Sequence, residues 1–113
     1  MTIDESRFNQ LAEATMSAIE EAVEASGADI DYDTISDILT LEFADGSKII
    51  INKQGPTRQL WVAAKSGGYH FDYDVARERW VLDSDPSQEL FACLSRYSTE
   101  QAGEPVELTE PEE

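Results

Sequence analysis

The chain has 113 residues, enough for a single domain with one modest hydrophobic core. Its 24 acidic and 8 basic residues give a formal net charge of −16. Nucleic acid is not expected as a partner, because phosphate binding depends on clustered Lys and Arg. A cation or a basic protein surface suits this charge better, and a solubilising acidic surface without further role is the alternative.

The sequence shows no feature of a membrane or exported protein. No run approaches the roughly 20 apolar residues of a membrane span, and Met1–Glu5 lacks the basic and apolar regions of an export signal. Cys93 is the one cysteine, which excludes an internal disulfide and is typical of a reducing compartment such as the cytoplasm. Its position beside the apolar side of a predicted helix indicates a buried structural thiol.

The first predicted element is a helix from Thr2 to Ser26. Thr2 and Glu5 match a capping box, and Gly27 follows as a stop signal. Apolar residues recur at steps of three and four, which predicts one buried side of the helix. These residues are Phe8, Leu11, Ala12, Thr15, Met16, Ile19, Ala22 and Val23.

Five or six strands are predicted next, because apolar and polar residues alternate and turn residues separate the runs. Asp45-Gly46 is the strongest hairpin signal among these turns. The predicted strands cover 29–33, 38–43, 48–54, 59–64, 69–73 and 80–82.

A second helix is predicted to begin at Asp85-Pro86, with Asp85 as the N-cap, and to end at Gly103. Residues 1–103 then form the domain, and 104–113 form an acidic tail. That tail is either disordered or docked on the helices through Val106 and Leu108. The order helix, antiparallel strands, helix predicts an α+β fold with both helices on one face of the sheet.

Trp61 lies on the strand face that this arrangement leaves to solvent. Leu60, Val62 and Ala64 share the core-facing side of their strand, so Trp61 shares the other side with Gln59. Trp is enriched at binding hot spots, although single exposed apolar residues are common. The position indicates a contact surface, and His70 is predicted to lie on the same face as a contact, an accessory ligand or an ordinary exposed residue.

Carboxylates accumulate on the polar side of the first helix and in the segment that follows it. We call this set the acidic ridge: Glu13, Glu20, Glu21, Glu24, Asp29, Asp31, Asp33 and Asp37. The run from Glu13 to Asp37 contains no basic residue, so repulsion would be relieved by a bound cation. Carboxylates suit iron, manganese, calcium or magnesium, in shallow and weak sites. A solvated acidic surface is the alternative.

Three specific metal sites are not supported. An EF-hand loop starting at Asp29 needs Gly at its sixth position and Glu at its twelfth, but Thr34 and Thr40 occupy them. A di-iron carboxylate bundle needs Glu-x-x-His pairs, and His70 is not preceded by Glu at that spacing. One Cys and one His cannot build a structural zinc site.

The sequence from Asn52 to Trp80 resembles the frataxin family, most closely its bacterial members. The resemblance rests on Asn52-Lys53-Gln54-x-Pro56-x-x-Gln59-Leu60-Trp61, on Gly67-Gly68-Tyr69-His70-Phe71-Asp72-Tyr73 and on Trp80. Together with the order of elements and the acidic first helix, it covers residues 3–103. The resemblance implies a two-layer α/β sandwich that binds iron weakly at the acidic ridge. It also extends the ridge to Asp4 and Glu5, which would lie at its ends together with Asp37.

The resemblance further implies a role in iron–sulfur cluster assembly, through binding of the cysteine desulfurase and the cluster scaffold protein. The family's bacterial members are similar to iron-dependent regulators of that complex, and iron donation is a related role. The partner-contact surface would comprise Asn52, Gln54, Gln59, Trp61 and His70. The open alternatives are an iron-oxidising or iron-storage protein and a plain acidic interaction module. We expect a non-enzymatic monomer, with iron-dependent oligomers as the alternative.

Overall fold

The computed structural model describes residues 3–110 of the chain. Each strand pairs antiparallel with its neighbours in sequence, so one sheet of seven strands has the order β1 to β7. The elements are α1 (Glu5–Ser26), β1 (Ile30–Ile35), β2 (Ile38–Phe43), β3 (Lys48–Gln54), β4 (Gln59–Ala64), β5 (Gly67–Asp74), β6 (Arg79–Leu82), β7 (Asp85–Glu89) and α2 (Leu90–Ala102).

Both helices cover the same face of the sheet, which confirms the predicted α+β arrangement. Along β2, Leu39, Leu41 and Phe43 are buried, whereas Thr40 and Glu42 on the opposite face are not. The inward residues of the central strands and the apolar sides of α1 and α2 form one hydrophobic core. We call the opposite side of the sheet the open face.

The sheet has seven strands instead of the predicted five or six, and the second helix begins later than predicted. Asp85–Glu89 forms β7, and α2 begins at Leu90 with the Glu89 carboxylate accepting from the backbone N–H groups of Phe91 and Ala92. Asp85 instead accepts from Ser87 and Gln88 within the strand segment. Pro86 is tolerated because β7 is an edge strand.

The first helix also begins later than predicted. Asp4 is the N-cap of α1, and its Oδ1 accepts a hydrogen bond from the backbone N–H of Arg7 at 2.7 Å. Thr2, the predicted cap, lies outside the described residues. Gly27 ends α1 with a φ of 71°, a left-handed conformation that favours glycine, as the stop signal predicted.

Of the two alternatives for the tail, docking is correct for its first part. Val106 and Leu108 are buried in the core. Ser95 and Thr99, on successive turns of α2, exchange hydrogen bonds with the backbone of these two residues at 2.8–3.1 Å. The segment therefore extends the core beside α2. Cys93 is fully buried, as predicted.

Candidate functional site

The middle of the acidic ridge is tied to the edge strand β1. The hydroxyl of Tyr32 donates to Glu24, and the hydroxyl of Thr34 donates to Glu20. Tyr32 and Thr34 lie two residues apart on β1, so both face its helix-covered side. Glu20 and Glu24 lie one turn apart on α1. The bond to Glu24 is also the main cause that raises the pKa of Tyr32 above its ordinary value of 10.0.

The aspartates of β1 lie on the other side of the strand from these glutamates. Asp31 pairs with Glu42 and Asp33 pairs with Thr40, so both share the open face. Both are exposed, and they do point the same way, as the alternation predicted. The expectation that helix and strand carboxylates crowd together was wrong, because the strand separates them into two rows around the sheet edge.

The expectation of a ridge without a compensating base was also wrong. Lys53 of β3 places its Nζ 3.3 Å from Oδ1 of Asp37 and 3.7 Å from Oε2 of Glu13. At the other end, Asp4 serves as the helix cap described above, while Glu5 is exposed in the first turn of α1. The sequence could not show the Lys53 contacts, because they join residues from three separate elements.

The ridge offers scattered oxygen donors. Within residues 3–110, no three Asp, Glu, His or Cys side chains converge as a group that could hold a metal ion. Glu21, Glu24 and Asp29 are exposed, Glu20 is partly exposed, and all four carry the hard oxygen donors that suit iron. This donor set fits a cation held by one or two carboxylates and water. It does not fit a closed cage.

On the open face, Trp61 is held in a fixed orientation by its neighbours. Its Nε1 donates to Oε1 of Gln59 at 2.8 Å, and Nε2 of Gln59 donates to Oδ1 of Asp72 at 3.0 Å. The indole also stacks on the ring of His70, with centroids 4.3 Å apart and an angle of 17° between the planes. Nδ1 of His70 lies 3.7 Å from Oδ2 of Asp83.

The predicted contact residues lie side by side on this face. A single row crosses five strands in the order Ile35, Ile38, Asn52, Trp61 and His70, because each residue is directly paired with the next. Gln54 pairs with Gln59 in the next row. Trp61 is half-buried by its neighbours on the open face, although it contributes nothing to the core.

Sequence reasoning missed the apolar residues of this face. Ile35, Ile38 and Ile50 are 67%, 42% and 36% exposed. Ile38 pairs with both Ile35 and Asn52, and Ile50 lies two residues before Asn52 on the same face of β3. The alternation in each strand already placed Ile38 and Ile50 opposite the core-facing residues, which is the signal that could have revealed them. Asp72 and Asp83 were not assigned to the site either.

Comparison with known proteins identifies the family. The sequence profile described as "Frataxin-like domain" matches residues 1–104. The chain belongs to the frataxin family. No helix within the described part of this frataxin-family chain is long and apolar enough to cross a membrane.

Two bacterial relatives illustrate the match within the frataxin family. One from Ectopseudomonas mendocina is 46% identical over 110 residues, covering 97% of this chain and 99% of its own. One from Pseudomonas aeruginosa is 47% identical over 107 residues, covering 94% and 97%. Both relatives are named "Iron-sulfur cluster assembly protein CyaY".

Solved structures of frataxins show the same fold. Frataxin from Psychromonas ingrahamii superimposes with a TM-score of 0.85 at 41% identity, covering 96% of this chain and 100% of that one. Yeast frataxin gives a TM-score of 0.61 at 25% identity, covering 86% and 80%. The predicted resemblance and fold class are therefore confirmed, whereas the roles of individual site residues stay predictions.

Proposed function

We propose that this chain binds iron at the acidic ridge and acts in iron–sulfur cluster assembly. Its role is that of an iron-dependent regulator of the complex between the cysteine desulfurase and the cluster scaffold protein, with iron donation as a related capacity. The names of full-length relatives support the assignment to cluster assembly. The scattered carboxylates support weak, reversible binding of a hard cation.

The observation that carries this proposal is the fixed indole on the open face. Trp61 is oriented by Gln59 and stacked on His70, yet it covers none of the core. A large aromatic ring that is ordered before binding loses little conformational freedom when a partner covers it. Rigid aromatic side chains of this kind are typical of binding hot spots.

The mechanism follows from the two surfaces. The acidic ridge docks on a basic surface of the desulfurase, and its charge accelerates and orients the encounter. Trp61, Asn52, Gln54, Gln59 and His70 contact the scaffold side. Iron on the ridge lowers the negative charge that the desulfurase meets, so the strength of docking depends on the iron concentration.

The test is cluster formation by purified desulfurase and scaffold protein, measured with and without this chain across an anaerobic Fe²⁺ titration. We expect this chain to change the rate, and the size of the change to depend on Fe²⁺. A rate that this chain leaves unaltered at every Fe²⁺ concentration contradicts the proposal.

Further measurements on the purified chain separate the alternatives. With O₂ supplied as the electron acceptor, an iron-oxidising or storage protein would oxidise Fe²⁺ over many turnovers and assemble into large iron-loaded particles. The proposed regulator binds Fe²⁺ in stoichiometric amounts as a monomer. A plain acidic interaction module would show no Fe²⁺-dependent NMR changes at Glu20, Glu21 or Glu24.

A further inference from the structure

Lys53 lies where three elements of the fold meet at the end of the acidic ridge. It comes from β3, Glu13 comes from α1, and Asp37 lies in the turn between β1 and β2. The Lys53 side chain is 12% exposed, whereas those of Glu13 and Asp37 are 71% and 61% exposed. Lys53 is therefore much the least exposed side chain of the three.

The position of Lys53 is fixed by its backbone as well as by its charge. Its N–H donates to the carbonyl oxygen of Asp37 at 3.0 Å, which holds the turn against β3. Lys53 also pairs with buried Leu60 on the helix-covered side of the sheet. The aliphatic stem is thus largely covered by protein, and the ammonium lies within ion-pair distance of both carboxylates.

A positive charge already stands between Glu13 and Asp37. Among residues 3–110, Lys53 alone forms ion pairs with carboxylates of the ridge. A metal ion that entered between these two carboxylates would meet an ammonium a few ångströms away and would have to displace it. Because the Lys53 side chain is largely covered while both carboxylates are exposed, water screens this repulsion only in part, and its effect on metal affinity is moderate.

We propose that Lys53 is a tethered counter-cation that keeps metal ions away from Glu13 and Asp37. It thereby restricts metal uptake to the part of the ridge from Glu20 to Asp33, where no ion pair competes within the described residues. Lys53 is thus a specificity-determining residue, because it decides which carboxylates of the ridge bind metal. The inference rests on the proposed function in one respect, which is that the ridge takes up metal.

The experiment is a Co²⁺ titration followed by backbone amide NMR, because the paramagnetic shifts locate the ion. In the wild-type chain we expect shifts that place Co²⁺ near Glu20, Glu21 and Glu24, and none that places it beside Glu13 and Asp37. In Lys53→Met, which keeps the stem but removes the charge, we expect a new ion beside Glu13 and Asp37. The apparent affinity there should rise by about tenfold.

Two matched variants isolate the position of the charge. Lys48→Met changes the net charge by the same amount and comes from the same strand, but Lys48 pairs with Glu42 on the open face. It should leave the pattern of Co²⁺ shifts as in the wild type. Lys53→Arg retains the positive charge and should also keep Co²⁺ away from Glu13 and Asp37.

Each outcome decides the inference. Equal affinity at Glu13 and Glu20 in the wild type overturns it, as does a Lys53→Met chain that behaves like Lys48→Met. If Lys53→Met does not fold, the location of Co²⁺ in the wild type and in Lys53→Arg decides alone. Absence of Co²⁺ near Glu20, Glu21 and Glu24 contradicts iron binding at the ridge, whereas uptake beside Glu13 in Lys53→Met still supports the role of Lys53.

Discussion

The acidic ridge and the open face of the sheet differ in how their side chains are held. The ridge consists mainly of exposed carboxylates on α1 and β1, and two of them accept hydroxyl hydrogen bonds while two pair with Lys53. On the open face, hydrogen bonds and ring stacking fix Trp61 in one orientation. One surface presents charge, and the other presents a defined shape.

This difference predicts different contributions to binding. Charge at an exposed surface acts over a distance, is weakened by salt and tolerates movement of single side chains. A fixed aromatic ring acts at contact and depends on the fit with one partner. We therefore expect the ridge to govern the rate and salt dependence of association, and Trp61 to govern how long the complex persists.

The largest effect is expected from reversing the charge of the ridge. Changing Glu20, Glu21 and Glu24 together to Lys should weaken desulfurase binding by about 100-fold or more, because like charges then face each other. Calorimetric titration at moderate salt measures this. The matched control is Glu100→Lys with Glu104→Lys and Glu107→Lys, an equal charge change at exposed positions on and after α2. Equal losses in both triple variants would show that net charge, and not the ridge, is recognised.

Replacing Trp61 by Ala should have the next largest effect on binding. We expect about 30-fold weaker assembly with the desulfurase and scaffold protein, equivalent to the loss of about 2 kcal/mol at a hot spot. The free energy of unfolding should fall by about 1 kcal/mol, because one hydrogen bond and a stacked ring are lost outside the core. Urea unfolding and binding assays on the same preparation check both values.

Trp80 provides the control for that variant. It is 3% exposed, packs edge-on against Phe8 and Tyr73, and donates from Nε1 to Oγ1 of Thr15 at 2.9 Å. Trp80→Ala should cost about 3–5 kcal/mol in urea unfolding. A loss of similar size in Trp61→Ala would mean that Trp61 is a structural residue, contrary to its assignment as a contact residue.

The smallest effect concerns the hydroxyl bonds that connect the ridge to β1. The hydrogen bond to Glu24 raises the pKa of Tyr32 above its ordinary value of 10.0. The bond therefore stabilises the fold fully below about pH 10, and this stabilisation is lost as the pH rises through the raised pKa. In Tyr32→Phe, the free energy of unfolding should therefore fall less steeply above about pH 10. The free energy of unfolding of Tyr32→Phe should still fall with pH, because burial also raises the pKa values of Tyr73 and Tyr97.

Thr34→Val serves as the control for the pH measurement. It removes the corresponding bond to Glu20 without removing a titratable group. Its loss of stability, measured by urea unfolding, should be about the same on both sides of pH 10. If Tyr32→Phe and Thr34→Val show the same pH profile, the bond between Tyr32 and Glu24 does not contribute to stability in solution.

Features that depend on local periodicity were predicted correctly from the sequence, whereas contacts between distant segments were not. Alternation placed Trp61 on the open face, because the side-chain direction along a strand is a local property. Asp85-Pro86 was misread because the same residues suit a helix start and an edge strand. The contacts of Lys53 with Glu13 and Asp37 depend on the packing of α1 and on a turn, which no local pattern reveals.

The salt dependence of binding tests most directly whether the two surfaces contribute separately. Affinity for the desulfurase and scaffold complex is measured over a range of ionic strength for the wild type, for Trp61→Ala and for Glu20→Gln with Glu21→Gln and Glu24→Gln. We expect Trp61→Ala to weaken binding equally at every salt concentration, and the Gln variant to flatten the dependence on salt. A steep dependence retained by the Gln variant, or a slope altered by Trp61→Ala, would contradict the division between a charged ridge and a shaped open face.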